Sequence, residues 1–537
     1  MKRYSDTNVN VVGAGLAGLS ASLELARDGI HVNLISAQPS ERAQSVLAEG
    51  GMNASMNTMG DDDSPEDHYQ DTLKGGAFIG EEDSIRGFTD TAPSIIEELI
   101  KLGVPFNNEN GRLIQRYFGG QKKRRTAFSR SSTGKIVMSA LIDAVRLYEA
   151  EGLVRRFPHH EFEKLVTDDD GCAGVVVRDL YSRDAFGLKG PVIVATGGMN
   201  SLFPAMTTGT TTNTGDVTAY LYSEGVRLSN LEFIQFHPTT SRIVGKLCLI
   251  SEAARGEGGR LMVIRDGKPW YFMEEKYPEL GNLMPRDITA REIVINSEDG
   301  TAFLDMTGLS DEVWTKKLSD LRARLIDLLG CDQKTEYVRI SPGIHYFMGG
   351  IYVDRDHKTS LDGLYAAGEC ACRYHGANRL GGNSMIGAVY GGRVAAQSLI
   401  GMIEGSSCFC EAEPVDIPYE YTNFTAPSSV TGPLTSAVGI IRDGEKMTDA
   451  LNTLMNADVS SLTVKDRRRL LLAQAILTSA IGRRESRGSH YRTDYPERDD
   501  VNFGGKSIVS CENGGHVLRF VPSGPAGESM KEAGCGI

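Results

Sequence analysis

Three glycines near the start of the chain, Gly13, Gly15 and Gly18, have the spacing G-x-G-x-x-G and directly follow a β-branched run at 9–12. The first glycine allows a tight turn, the second lets the backbone approach a pyrophosphate, and the third lets a helix pack closely on a strand. Amide groups at the start of that helix would face the phosphates, assisted by the helix dipole. The motif therefore indicates a dinucleotide-binding site.

The elements around these glycines must position them, and their pattern is strand, helix, strand. Leu16, Leu19 and Leu23 give the helix an apolar face, and Gly29 ends it. The second strand, at 31–35, ends in Ser36, whereas an NAD site usually has Asp or Glu there. A hydroxyl can still bond a ribose, and a motif this close to the N-terminus is common in flavoproteins. The type of dinucleotide stays open at this point.

Two distant segments repeat the design of an apolar run followed by a glycine turn: GPVIVATGG at 190–198 and LDGLYAAGE at 361–369. Both are typical of strands that deliver a turn to the same nucleotide pocket. The mixed segment between them, at 238–340, is predicted to be an inserted domain. After residue 404 we expect a linker, amphipathic helices near 434–455 and 465–481, and a polar tail with little regular pattern.

Length and composition indicate a soluble globular chain of several domains. The chain has 537 residues and a net charge of −13, which argues against general nucleic-acid affinity. We expect the acidic run at 61–63 and the basic run at 122–125 to be solvated. No spanning helix and no signal peptide are expected. Nine cysteines predict reduced thiols and a cytoplasmic location, and their spacing does not predict a metal site.

The motifs resemble, in order over most of the chain, those of the flavoprotein subunit of the succinate dehydrogenase/fumarate reductase family, which includes L-aspartate oxidase. They are GAGLAGL at 13–19, AEGG at 48–51, RYFGG and RTAF within 116–128, ATGG at 195–198, TGD at 214–216, EFIQFHPT at 232–239, SEAARGEGG at 251–259, PRD at 285–287, HYFMGGI at 345–351, GLYAAGEC at 363–370, HGANRLGGNS at 375–384 and ESRGSHYRTDYPERDD at 485–500.

This resemblance implies an α/β fold. A Rossmann-like FAD-binding domain would be interrupted by an inserted α+β capping domain and followed by a C-terminal helical domain. The expected boundaries are 1–237 and 341–410 for the two parts of the FAD-binding domain. Residues 238–340 would form the capping domain, which contributes to the substrate site, and residues 411–537 the helical domain and tail.

By resemblance, the substrate is a small dicarboxylate such as fumarate or succinate, bound by His237, Ser251, His345 and Arg379. Arginine suits carboxylates because its planar fork donates two parallel hydrogen bonds. Arg379 lies ten residues after Glu369, which predicts a position beside the flavin ring.

The family's proton donor corresponds to Arg286, with Glu252 and Arg255 as the relay to solvent. An arginine acid is unusual because guanidinium holds its proton above a pKa of about 12. It becomes plausible if surrounding cations and a carbanion-like acceptor favour release. The alternative is that Arg286 acts only as an electrostatic clamp.

The resemblance also implies which residues contact FAD. At the position where the family's membrane complexes have a histidine bonded to the flavin, this chain has Gln44, which cannot form that bond. Non-covalent FAD is therefore predicted. The expected FAD contacts are Gly13, Gly15, Gly18, Ser36, Ser45, Gly50, Gly51, Ala195, Thr196, Gly197, Asp216, Glu369, Arg379 and Ser384.

The leading hypothesis is a fumarate reductase or succinate dehydrogenase flavoprotein, and loss of the covalent bond favours fumarate reduction. Its electron donor would be an iron–sulfur subunit or a soluble protein. It would be cytoplasmic, and peripheral to the inner face of the membrane only through partner subunits. L-Aspartate oxidase, which also has non-covalent FAD, is the nearest alternative. A catalytically inactive binding subunit is the other alternative, and the intact set of arginines and histidines opposes it.

Overall fold

A five-stranded parallel sheet forms the centre of the computed structural model, which describes residues 3–243 and 245–522. Its order is Leu364–Ala366, Val192–Val194, Val9–Val12, Val32–Ser36 and Val154–Pro158. The three inner strands are buried on both faces, which explains their nearly continuous apolar sequences. The two predicted distant segments therefore lie side by side with the first strand, and their turns emerge at the same edge of the sheet.

Three long helices pack together against this sheet: Leu16–Arg27, Thr133–Ala150 and Asn383–Ile400. The predicted strand–helix–strand unit and its glycine turn are confirmed. Further helices are Pro65–Gly75, Glu82–Lys101 and Asp216–Ser223, and a four-stranded antiparallel sheet is formed by His160–Asp168, Gly171–Asp179, Ala185–Lys189 and Glu413–Val415.

The inserted segment builds a six-stranded sheet with its own core around Leu261, Phe272, Leu304 and Trp314. Two long antiparallel strands, Ile234–Ile243 and Val338–Phe347, connect it to the rest of the chain. The boundaries proposed at 237/238 and 340/341 pass through these strands. The other strands are Lys246–Leu249, Arg260–Arg265, Lys268–Trp270 and Ala302–Asp305, and the helices are Ala253–Gly256, Phe272–Lys276, Arg286–Asn296 and Ser319–Leu329.

The helix predicted near 434–455 is in fact two helices, Ser428–Ala437 and Gly444–Met455. The carboxylate of Asp443 accepts hydrogen bonds from the amides of Glu445 at 3.1 Å and Lys446 at 3.2 Å, so a new helix begins there. The next predicted helix is confirmed as Val464–Gly482. Apolar periodicity continued across the break because both helices pack on the same core.

The expectation of an irregular tail is wrong up to residue 522. Strands Gly505–Glu512 and Gly515–Pro522 form an antiparallel hairpin around Asn513 and Gly514, which both have positive φ angles. Asn-Gly between alternating apolar residues is a typical hairpin signal. The hairpin extends a sheet made by Leu228–Ser229, Gly350–Tyr352 and Ala371–Cys372. Residues 523–537 lie outside the described part of the chain.

The acidic and basic runs, expected to be solvated, pair with each other instead. Arg125 is fully buried, and its Nη2 lies 2.9 Å from Asp63 and 2.8 Å from Asp71. Arg124 pairs with Asp61. A buried cation requires such partners because an unpaired charge is strongly unfavourable in the interior. Among the described residues, no helix is long and apolar enough to cross a membrane.

Candidate functional site

A single cavity of about 680 Å³ extends from the glycine turns at the sheet edge to the two strands that lead into the capping domain. Almost all predicted cofactor and substrate residues line it. The cofactor residues at the wall are Gly13, Gly15, Ser36, Ser45, Gly50, Gly51, Ala195, Thr196, Gly197, Asp216, Glu369, Arg379 and Ser384, and the substrate residues are His237, Ser251, Glu252, Arg286 and His345.

Two predicted residues do not line the cavity. A Cβ atom at Gly18 would lie 1.8 Å from the carbonyl oxygen of Gly13, so this glycine permits the helix to pack against the turn. Arg255 lies behind Glu252 and contacts it without reaching the cavity wall. Gly18 would therefore support the shape of the glycine turn, and Arg255 would support the position of Glu252.

The cofactor end of the cavity fits an elongated dinucleotide. Gly13 has a φ of +115°, and a Cβ atom there would lie 2.2 Å from the carbonyl oxygen of Ala195, so the two turns meet with no room for a side chain. The Ser45 hydroxyl accepts a hydrogen bond from the Leu16 amide at 3.3 Å. Asp216 begins a helix and pairs with Arg469. FAD can therefore lie across these turns, with helix amides facing its phosphates.

Burial sets the protonation of Glu369 at the turn after the strand Leu364–Ala366. Desolvation raises the pKa of its carboxyl to about 7, although the Phe347 amide donates a hydrogen bond to it at 3.1 Å. This group therefore changes its charge near neutral pH.

His237 and His345 lie on the two neighbouring strands that lead into and out of the insertion, with their rings 5.1 Å apart. Burial, with the nearby Arg286, lowers the pKa of each well below its usual value, so both are neutral. The amide nitrogen and the carbonyl oxygen of Thr239 both lie 3.2 Å from His237 Nδ1, so this ring atom is engaged within the protein. Nε2 is the ring atom of His237 that remains for a ligand in the cavity.

Arg379 is buried at the same wall, where its guanidinium stacks on the Tyr346 ring at 4.4 Å. Desolvation and the neighbouring Arg286 lower its pKa to about 9. Its Nη1 donates to the Leu380 carbonyl at 3.3 Å, while its Nε has no hydrogen-bond partner among the described residues. A buried guanidinium with an unused donor is suited to hold an anionic substrate.

Glu252 is a buried carboxylate held between two arginines. Its Oε2 accepts from Arg286 Nη2 at 2.6 Å and Nε at 3.0 Å, and its Oε1 accepts from Arg255 Nη2 at 3.0 Å. Burial raises the pKa of Glu252, but the two arginines outweigh this effect and hold it at about 2. The carboxylate is therefore ionised and connects the two guanidinium groups.

Sequence reasoning missed several residues of the site. Gln235 contacts Arg286, and Asn378 contacts Asp287. Both missed residues lie within motifs that carried the resemblance. Thr208 contacts His345. Five cavity residues come from the C-terminal part of the chain, and the long sequence separation gave no signal for them: Thr422, Asn423, Phe424, Lys465 and Arg469.

Comparison with known proteins agrees with this geometry. Residues 8–385 match the family described as FAD binding domain, and residues 462–522 match fumarate reductase flavoprotein C-term. The chain is 37% identical to the succinate dehydrogenase flavoprotein subunit of Bacillus subtilis, over 92% of each chain. It is 32% identical to the fumarate reductase flavoprotein subunit of Mycobacterium tuberculosis, over 95% of each.

Two further matches bear on the alternatives. An L-aspartate oxidase of Streptomyces coelicolor is 31% identical, over 92% of this chain and 90% of the oxidase. Among solved structures, a chain of E. coli quinol fumarate reductase matches with a TM-score of 0.84 and 26% identity, over 97% of each chain.

The hydroxyl of Thr208 lies 2.9 Å from His345 Nδ1, and donation to this atom would leave the ring proton on Nε2. We expect Thr208→Val to weaken dicarboxylate binding by roughly 5-fold, because a hydrogen bond of this kind contributes about 1 kcal/mol. Isothermal titration with malonate measures the change. Thr208→Ser, which keeps the hydroxyl, should bind like the wild type, and an unchanged affinity in the valine variant would contradict this assignment.

Proposed function

The chain belongs to the succinate dehydrogenase/fumarate reductase flavoprotein family and is an FAD-dependent oxidoreductase acting on succinate and fumarate; from this premise we propose that it works as a fumarate reductase with Arg286 as the proton donor and FAD held without a covalent bond. The observation that carries the proposal is the convergence of Arg286, Arg379, His237 and His345 on one wall of the FAD cavity.

The substrate would be held as a dicarboxylate by residues from both domains. Arg379 offers a buried guanidinium whose Nε has no partner among the described residues, and His237 offers Nε2 of a neutral ring. Ser251 is buried at the same wall, and His345 faces the cavity beside His237. Bound FAD supplies the hydride for the reduction. The neutral histidines add hydrogen bonds without adding charge, so the two arginines can polarise the carboxylates.

Arg286 is supported as the acid by its position and by its partners. It begins the helix Arg286–Asn296 and projects its guanidinium into the cavity between Glu252 and Gln235. A carbanion-like acceptor formed on hydride transfer would favour release of its proton. Glu252 and Arg255 would return the proton, because the carboxylate contacts both guanidinium groups.

Gln44 supports non-covalent attachment. Its side chain lines the cavity, and its Oε1 accepts a hydrogen bond from the Thr210 amide at 2.7 Å. An amide is not nucleophilic enough to form the bond that a histidine forms. Affinity for FAD would then depend on the glycine turns and the helix termini.

Relatives named as flavoprotein subunits support electron transfer through a separate partner. We propose an iron–sulfur subunit or a soluble donor for this role, and a peripheral position at the inner face of the membrane through such partners.

L-Aspartate oxidation is the competing function, since an oxidase is among the relatives. In RYFGG at 116–120, Phe118 forms part of the cavity wall, whereas oxidases usually have an acidic segment there. An apolar ring cannot pair with a substrate ammonium, so this position favours an alkene diacid.

Steady-state assays distinguish the two functions. We expect fumarate to oxidise reduced viologen with the purified protein, and L-aspartate in air to give no hydrogen peroxide. Peroxide formation from aspartate without fumarate reduction would overturn the proposal in favour of the oxidase.

Arg286→Gln should bind malonate but reduce fumarate about 10²- to 10⁴-fold more slowly, since general acid catalysis contributes that much. Arg265→Gln, on the exposed face of the same domain, serves as the control and should retain full turnover. Near-normal turnover in Arg286→Gln would refute the role of Arg286 as the acid.

Acid precipitation of the protein should release the yellow colour into the supernatant, because no covalent bond retains the flavin. Absorbance of the supernatant and the pellet measures the distribution. A pellet that remains yellow after washing would contradict non-covalent attachment.

A further inference from the structure

Four buried or partly buried side chains at the seam between the domains are joined by three hydrogen bonds, and the backbone closes them into a ring. Arg286 Nη1 donates to Gln235 Oε1 at 3.1 Å, and Gln235 Nε2 donates to Asn378 Oδ1 at 2.9 Å. Asn378 Nδ2 then donates to Asp287 Oδ1 at 2.9 Å. Asp287 follows Arg286 in sequence, which closes the ring.

The direction of every bond in this ring is fixed. Arginine can only donate, so Gln235 must present its oxygen to Arg286 and its nitrogen to Asn378. The same nitrogen donates to the Arg379 carbonyl at 2.7 Å. Asn378 must therefore accept a hydrogen bond from Gln235 and donate one to the carboxyl group of Asp287. A side chain that lacks either function leaves a buried polar group without its partner.

The ring joins consecutive residues from two domains. Arg286 and Asp287 belong to the inserted segment, whereas Asn378 and Arg379 follow the turn that lines the flavin cavity. The proposed acid and the substrate-binding arginine are both cations, and they repel each other inside a buried site. The Glu252 carboxylate holds the Arg286 guanidinium, and the amides of Gln235 and Asn378 give a second connection from Arg286 to the segment that carries Arg379.

We propose that Asn378 is a positioning residue that holds the acid Arg286 in register with the substrate-binding Arg379 through Gln235 and Asp287. This inference rests on the proposed function of the same site and adds a residue that controls the chemical step. In the described structure Asn378 does not line the cavity, and its side chain contacts Gln235 and Asp287. We therefore expect proton transfer to depend on it more than substrate affinity does.

The direct test is Asn378→Asp, a change of one atom that removes the donor and places a second carboxylate against Asp287. We expect the kcat for fumarate to fall about 10- to 100-fold, because displacement of a catalytic group by about 1 Å has an effect of that size. The dissociation constant for malonate, measured by titration calorimetry, should change less than about 3-fold, since Arg379 and His237 remain.

The matched control exchanges the two residues: Asn378→Asp combined with Asp287→Asn. The double variant keeps the net charge and restores one donor and one acceptor, with the bond reversed. We expect its kcat to return to within about 3-fold of the wild type, a coupling that a double-mutant cycle quantifies. A double variant that melts like the wild type and is as slow as Asn378→Asp alone would overturn the proposal.

The pH profile gives a second readout that a general loss of stability would not produce. In Asn378→Asp, two adjacent carboxylates should share a proton, so kcat should recover as the pH falls and decline as it rises. The charged or titratable groups facing this position are Arg286, Arg291 and Tyr277, and the wild type contains them too. A profile parallel to that of the wild type would contradict the inference.

These outcomes separate this inference from the proposed function. If the wild type does not reduce fumarate, the proposed function fails. If the wild type reduces fumarate and Asn378→Asp reduces it equally fast, only the positioning role fails.

Discussion

The site depends on one buried carboxylate, Glu252. Arg286 and Arg255 are both buried and both hydrogen-bonded to it, and the cation of Arg379 lies nearby. Burial of a guanidinium group costs several kcal/mol in desolvation, and a counter-charge offsets that cost. The carboxylate also accepts a hydrogen bond from the Gly119 amide at 3.1 Å, on the opposite side of the seam. One ionised group therefore holds the capping segment and the FAD-binding domain together.

The balance of charge between Glu252 and the arginines also affects the other side chains at this wall of the cavity. Burial, together with the nearby Arg286, keeps His237 and His345 neutral, and a threonine lies within hydrogen-bonding distance of Nδ1 in each ring. A dianionic substrate restores electrical balance when it binds. The capping segment contributes Arg286, and the FAD-binding domain contributes Arg379, so residues of both build the wall of the cavity.

Prediction from the sequence succeeded where local pattern and chemistry coincide. The glycine turn, its flanking strands and the paired strands at 192–194 and 364–366 were readable because burial on both faces imposes continuous apolar runs. It failed where long-range packing overrides the local pattern. The break before Asp443 interrupts an apolar periodicity that both helices share, and the basic run at 122–125 looked solvated because its acidic partners lie some sixty residues earlier.

The sequence by itself determined the family, the nucleotide-binding turn and the residue types that line the cavity, among them Gln44, since these depend on residue type and spacing. Only the tertiary structure decided which donors meet which acceptors. Arg286 and Gln235 are 51 positions apart, Asn378 and Asp287 are 91 apart, and Asp216 and Arg469 are 253 apart. Such contacts have no local signature, because they arise from the way the strands and the inserted segment close on one another.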